Sequence, residues 1–314
     1  MTPISPAKII PQAADRSRSL PLVIALHCSG STGQQWQKLT QSLRSAFSVS
    51  CPDLIGCGDN PHWGGGDKPF ELADEATPIV EIIDAWNGPI HLVGHSYGGG
   101  VALRVAVERP SRIASLSLYE PTAFHVLKAA GEDGQLALVE ISTLAADIGQ
   151  QVLAGAYRAA AQGFVDYWNG AGTYDALKPD AQAYLARYMP KACLDFRALI
   201  EERTPLAVYQ RLRVPLRLMF GEHTLATTEL LVRKLAVVMN PGALRLVPEA
   251  GHMGPITHDD TVAKMIAEHI NASDQTAAWC GTRIPQQLST PNPALRASAD
   301  VDLLENDRPV GAVA

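Results

Sequence analysis

The chain has 314 residues, 46% hydrophobic and 18% charged, and 32 acidic against 26 basic side chains leave a formal net charge of -6. That length suffices for one large α/β domain or two small ones with a substantial core. The mild acidic excess, with no basic stripe, argues against a nucleic-acid partner, and no uninterrupted apolar run is long enough to cross a bilayer.

From the N-terminus, residues 1–20 carry Lys8, Arg16 and Arg18 but lack the continuous apolar core of a signal peptide, so a cytoplasmic location is expected. Short apolar runs then alternate with helix-like segments, the pattern of a mostly parallel sheet with helices on both faces. The expected strands are 22–26, 47–51, 90–93, 113–119, 216–220 and 243–247, and the expected helices are 34–46, 72–86, 99–108 and 257–270. Residues 122–212 break this rhythm. They hold no clear buried strand, while Leu136, Leu138, Val139, Ile141, Leu144, Ile148, Val152 and Leu153 indicate amphipathic helices.

A structureless connection of that length is implausible in a compact domain, so the segment is expected to be a helical cap over the edge where the strands end. Its aromatic residues Phe164, Tyr167, Trp168 and Tyr174 are expected in the cap's own packing or along a substrate pocket. The organisation expected is a core at 1–121, a cap at 122–212, the rest of the core at 213–272 and a tail at 273–314. The tail holds four prolines with no sustained period and is expected to be disordered. Cys28, Cys51, Cys57, Cys193 and Cys280 are odd in number, without the paired spacing of a zinc site, so free thiols are expected; the chemistry read below calls for no metal and no organic cofactor.

The residues that carry chemistry begin at Gly94-His95-Ser96-Tyr97-Gly98. Apolar Ile90, Leu92 and Val93 precede the motif and an alanine-rich helix follows, which is the strand, turn and helix of a nucleophile elbow. A serine hydroxyl is a weak nucleophile and has to stand on a tight turn to meet both a base and an acyl carbon. The two flanking glycines remove side chains that would clash there. The base has to be a histidine on a loop at the same sheet edge. His252 lies just past the last expected strand, between Gly251 and Gly254, whereas His258 stands beside Asp259 and Asp260 as a capping or surface residue. An oxyanion hole needs two preorganised amides. Tyr97, next after the serine, supplies one; the other comes from the loop His27-Cys28-Ser29-Gly30-Ser31, with Ser29 favoured over Cys28 and His27 structural.

Together, Leu26-His27-Cys28-Ser29-Gly30, Pro52-Asp53-Leu54-Ile55-Gly56-Cys57-Gly58, the elbow through Gly100 and Ala250-Gly251-His252 resemble the alpha/beta-hydrolase fold family over residues 20–271. Cys28 replaces the family's usual glycine, and little chain precedes Leu22 for its leading antiparallel strands. The resemblance also implies an aspartate three residues after Gly221, but Thr224 stands there. Some relatives draw the acid from the end of the strand after the elbow strand, which makes Glu120 of Tyr119-Glu120-Pro121 the candidate to orient His252. Glu222 is the alternative, with Asp53 and Asp59 behind it. The expected activity is hydrolysis of a small carboxylic ester, thioester or lactone through an acyl-enzyme. Carbon–carbon bond hydrolysis and acyl transfer use the same triad, and a noncatalytic binding protein on the same fold is the contrasting reading. Serine at the elbow argues against dehalogenase or epoxide-hydrolase chemistry, which use a carboxylate nucleophile in this fold.

Overall fold

The computed structural model describes residues 20–279. All six expected strands form: β1 Leu22–Leu26, β2 Ser48–Ser50, β3 Ile90–His95, β4 Ile113–Tyr119, β5 Leu216–Gly221 and β6 Leu244–Val247. They make one sheet in the order β2-β1-β3-β4-β5-β6, every pair parallel, so all strands end along one edge. The central strands are buried on both faces because both are covered: all five residues of β1 and all six of β3 are buried.

Helices α1 (Gln37–Leu43), α2 (Leu72–Ala85) and α3 (Tyr97–Glu108) alternate with the first strands. The expected helix 34–46 splits into a 3-10 turn, Gly33–Trp36, and α1. The expected helix 99–108 starts two residues earlier, directly after Ser96. Between β4 and β5 lies a helical insertion: α4 (Gly131–Leu153), α5 (Tyr157–Asn169), α6 (Thr173–Ala176), α7 (Pro179–Ile200) and α8 (Leu206–Gln210). After β5 come α9 (Ala226–Met239), α10 (Gly254–Thr257) and α11 (Asp259–Trp279). The last helix therefore runs nine residues past its expected end at Ile270, and the segment from Ser273 expected as tail begins as helix. Ser273 is buried and its hydroxyl donates to the His269 carbonyl at 2.8 Å. The remainder of the expected tail, with Cys280, lies outside the described residues.

Side chains of α1 and α11 meet Val23, Ala25, Val93, Tyr119, Met219 and Val247 on one face of the sheet. By the two-residue alternation of strand side chains, Leu22, Ile24 and Leu26 turn to the other face, where α3 packs with α2. Helix α4 is long and apolar enough by composition to cross a membrane, although acidic residues interrupt its apolar run. In the fold it packs on α5, α7 and the 3-10 turn before it, and its buried residues form a narrow stripe of Gly134, Ala137, Ile141 and Ile148. Its Glu140 accepts hydrogen bonds from Tyr167 at 2.7 Å and from Thr227 of α9 at 2.6 Å, tying the insertion to the core.

Three buried histidines support the sheet. His27 donates through Nδ1 to the Cys28 carbonyl at 2.8 Å and accepts the Leu54 amide at Nε2 at 3.0 Å. His91 and His269 pair with Ser115 and Ser117. Burial lowers the pKa of each from the ordinary 6.5 to about 4. Each is neutral in the folded protein while the unfolded chain takes up protons below about 6.5. The stability they contribute is therefore present above that pH and lost as pH falls towards 4. The urea midpoint is expected to drop between pH 7.5 and pH 5; equal midpoints would count against this assignment.

Candidate active site

The elbow is built by packing constraints on its glycines. A Cβ on Gly98 would lie 2.4 Å from the His27 carbonyl oxygen, and one on Gly94 would lie 2.5 Å from that of Gly98, so strand, turn and helix approach this closely only without side chains. Ser96 is forced to φ 53°, ψ -118°, a conformation costing about 1–3 kcal/mol that persists only where surroundings impose it. Its amide donates to the Tyr119 carbonyl at 3.0 Å, and its own carbonyl accepts the amides of Gly99, Gly100 and Thr122.

The His252 loop follows β6 and reaches back past the ends of β5 and β4 to the elbow. The Ser96 hydroxyl donates to His252 Nε2 at 3.0 Å, and His252 Nδ1 donates to Glu120 Oε2 at 2.7 Å. Glu120, fully buried at the end of β4, also sits at positive φ (43°) and accepts the Gly221 amide on its other oxygen at 2.8 Å. Strain thus falls on two of these three side chains; among the described residues only Glu249 is a further non-glycine at positive φ.

The other candidate acids are elsewhere. Glu222 accepts the Glu249 amide at 2.9 Å and forms an exposed group with His223 and Glu249 whose side-chain nitrogen and oxygen atoms lie within 4.8 Å of one another. Asp53 accepts the Gly33 amide at 2.7 Å, and Asp59 is exposed. Thr224, at the implied acid position, has no hydrogen-bond partner for its buried hydroxyl.

Tyr97 is the first residue of α3, and the first amides of a helix have no partner within it. In the facing loop the Cys28 amide is already taken by Gln35 Oε1 at 3.1 Å, which leaves Ser29 as the next donor. The same Gln35 donates through Nε2 to His95 Nδ1 at 3.0 Å, and His95 Nε2 donates to the His252 carbonyl at 2.8 Å. Burial, with His252 beside it, holds the His95 pKa well below the ordinary value, so the ring stays neutral in the tautomer this chain requires. His95 fills a freely variable position of the elbow motif, and its partners lie 60 and 157 residues away, so no local signal marks it.

Cap and core together line a cavity of about 350 Å³ whose lining includes Ser29, Ser96 and His252. The aromatic group of the cap divides. Trp168 and Phe164 line the cavity, Tyr167 is tied to Glu140, and Tyr174 is buried against Gln182. Trp168 stacks on the His252 ring with centroids 4.4 Å apart and planes 23° from parallel. The four described cysteines are free thiols. Burial raises the pKa of the Cys51 thiol to about 11 and that of Cys28 to about 12, so both stay protonated and are poor nucleophiles.

A parallel sheet with a serine at a strained strand-to-helix turn and a histidine–carboxylate pair at the same edge defines a hydrolase of the α/β type. Residues 23–265 match the profile of the alpha/beta hydrolase family, and the chain belongs to that family. It is 28% identical over 260 residues to a pimeloyl-[acyl-carrier protein] methyl ester esterase of Neisseria meningitidis serogroup B, covering 79% of this chain and 92% of that protein. It is 32% identical over 100 residues to lipase LipV of Mycobacterium tuberculosis, a match spanning 32% of this chain and about a third (36%) of LipV. In fold it is similar to the enol-lactonase of Burkholderia xenovorans LB400, with TM-score 0.56, 18% identity, and coverage of 82% of this chain and 94% of that one.

Proposed function

We propose that this hydrolase cleaves a small, uncharged carboxylic ester through an acyl-enzyme. The observation that carries the reading is the continuous hydrogen-bond chain from Ser96 through His252 to Glu120 beside a mostly apolar cavity. Ser96 Oγ attacks the ester carbonyl as its proton passes to His252 Nε2. The tetrahedral oxyanion is held by the Tyr97 and Ser29 amides. Collapse breaks the carbon–oxygen bond to the leaving alcohol, which takes the proton from His252. A water then gives a proton to His252 and attacks the acyl carbon, releasing the acid and restoring Ser96. Glu120 keeps the Nδ1 proton in place and stabilises the imidazolium formed in each half-reaction, while Trp168 shields one ring face and favours the cation by its π-electrons.

The lining supports the substrate class. Phe124, Phe164, Trp168, Phe196, Leu199 and Met253 surround the acyl site, and among the described residues no lysine or arginine lines it. A carboxylate-bearing acyl group would be desolvated there without a counter-ion. The methyl ester named for the Neisseria relative accords with a neutral scissile group. A cytoplasmic location goes with the free thiols.

The test is labelling by a fluorophosphonate probe together with turnover of p-nitrophenyl esters. The protein is expected to label, and to favour neutral short and medium acyl chains over a chain ending in carboxylate by about tenfold or more in kcat/KM. Folded protein that neither labels nor turns over esters would favour a binding module on this fold.

A further inference from the structure

A second polar network lies behind the oxyanion loop and takes no part in the triad. Lys191 of α7 projects from the cap into the core, where its ammonium bonds to Glu75 Oε2 of α2 at 3.0 Å, to Asp195 Oδ1 of its own helix and to the Tyr97 hydroxyl at 3.4 Å. All three ammonium protons are thereby used. Glu75 also accepts the Tyr97 hydroxyl at 2.8 Å and the Ile55 amide at 2.7 Å. Asp195 also accepts the Ser29 hydroxyl at 2.7 Å and that of Tyr188.

Lys191, Glu75 and Asp195 are all buried, and the network sets two carboxylates against one ammonium. Burial alone would lower the Lys191 pKa, but the Asp195 and Glu75 carboxylates more than offset it and hold the lysine charged. Burial, with Glu75 and Asp195 adding to it, raises the Tyr97 phenol well above its ordinary value, so that phenol remains a donor. The lysine also lies over the rings of Phe70 and Tyr97 at 4.8 and 4.7 Å.

The significance lies in which residues the network ties together. Ser29 and Tyr97 come from different strand ends, yet both are linked to one ammonium carried by the cap, Tyr97 directly and Ser29 through Asp195. Their backbone amides are the two donors to the oxyanion in the proposed reaction. An oxyanion hole works because its donors are already spaced for the developing charge before reaction begins. Each side-chain anchor restrains the backbone that carries one of those amides.

We propose that Lys191 is a positioning residue, whose buried contacts to Asp195 and Glu75 set the spacing of the Ser29 and Tyr97 amides and make the oxyanion hole depend on the docked cap. The proposal rests on the reading of those two amides as the oxyanion donors.

The test compares Lys191→Met with the triple variant Lys191→Met/Glu75→Gln/Asp195→Asn, measured against wild type and Ser96→Ala. Lys191→Met leaves two carboxylates buried without a cation and is vulnerable to misfolding. The triple variant keeps the shapes and removes every charge of the network, a change that folded proteins often tolerate. For the folded triple variant, kcat for p-nitrophenyl butyrate is expected to fall by about 10- to 100-fold with KM little changed. Affinity for a trifluoromethyl ketone, whose adduct with serine carries an oxyanion, should fall in parallel, while affinity for a non-reacting amide analogue of the substrate stays near wild type.

A folded triple variant with wild-type kcat and ketone affinity would overturn the proposal, as would equal losses for the ketone and the amide analogue. Failure of the hydrolase reading itself would look different: wild type would fail to label with a fluorophosphonate, or Ser96→Ala would keep its activity.

Discussion

Ser96→Ala is expected to fold normally and to lose turnover of p-nitrophenyl butyrate by about 10⁴-fold or more. The hydroxyl removed is a single atom facing the cavity, and the backbone strain at this position comes from packing around Gly94 and Gly98, which the substitution leaves in place. The melting temperature should therefore move little, while the covalent step is lost. Adding His252→Ala should cost little more, because serine and histidine act as a unit and neither works alone. Steady-state kinetics with thermal denaturation provide the check. Residual activity above about a tenth of wild type would remove Ser96 from the nucleophile's role.

Glu120→Gln is expected to keep the fold and to cut turnover by roughly 10²- to 10⁴-fold. The two oxygens of Glu120 accept from two donors, the Gly221 amide and His252 Nδ1. Glutamine offers one oxygen and one NH2 group, so it cannot accept from both. If the oxygen stays on Gly221, the NH2 faces His252 and favours the tautomer whose Nε2 carries a proton and cannot take one from Ser96. Glu222→Gln should be nearly silent, since that side chain is exposed and bonded to the Glu249 amide. Rates for the two variants, measured beside a melting curve for each, separate the assignments. The opposite ranking would move the acid to Glu222, and two near-wild-type variants would leave His252 held by another group.

Much of the scaffold was legible because it rests on short-range regularities. The six apolar runs are strands of a sheet covered on both faces, and such strands show as runs rather than alternations. The boundaries that differ have local causes. The segment 34–46 begins with a 3-10 turn that has no side-chain cap, and α11 continues through polar Asn271, Ser273 and Asp274, which read as the start of a tail. In the cap, helical periodicity is visible over 136–153, but which of its apolar residues are buried is not. Leu136, Val139 and Leu153 are exposed while Ile141 and Ile148 are buried, because neighbouring helices rather than hydropathy select the packed stripe.

A few adjacent residues are enough to dictate the parallel sheet from its apolar runs, the elbow from its paired glycines, and His252 from its place after the last strand. The tertiary structure decided everything that depends on chain segments far apart. It brought Glu120 rather than Glu222 or Asp53 to His252, across 132 residues of chain. It engaged the Cys28 amide with Gln35, laid Trp168 of the cap on the His252 ring, and joined Ser29 to Tyr97 through Asp195 and Lys191. The physical reason is that hydrogen bonds and ring contacts act over a few ångströms in space, whereas periodicity and turn chemistry act over a few residues in sequence. Only the packing of sheet, loops and cap against one another converts one into the other.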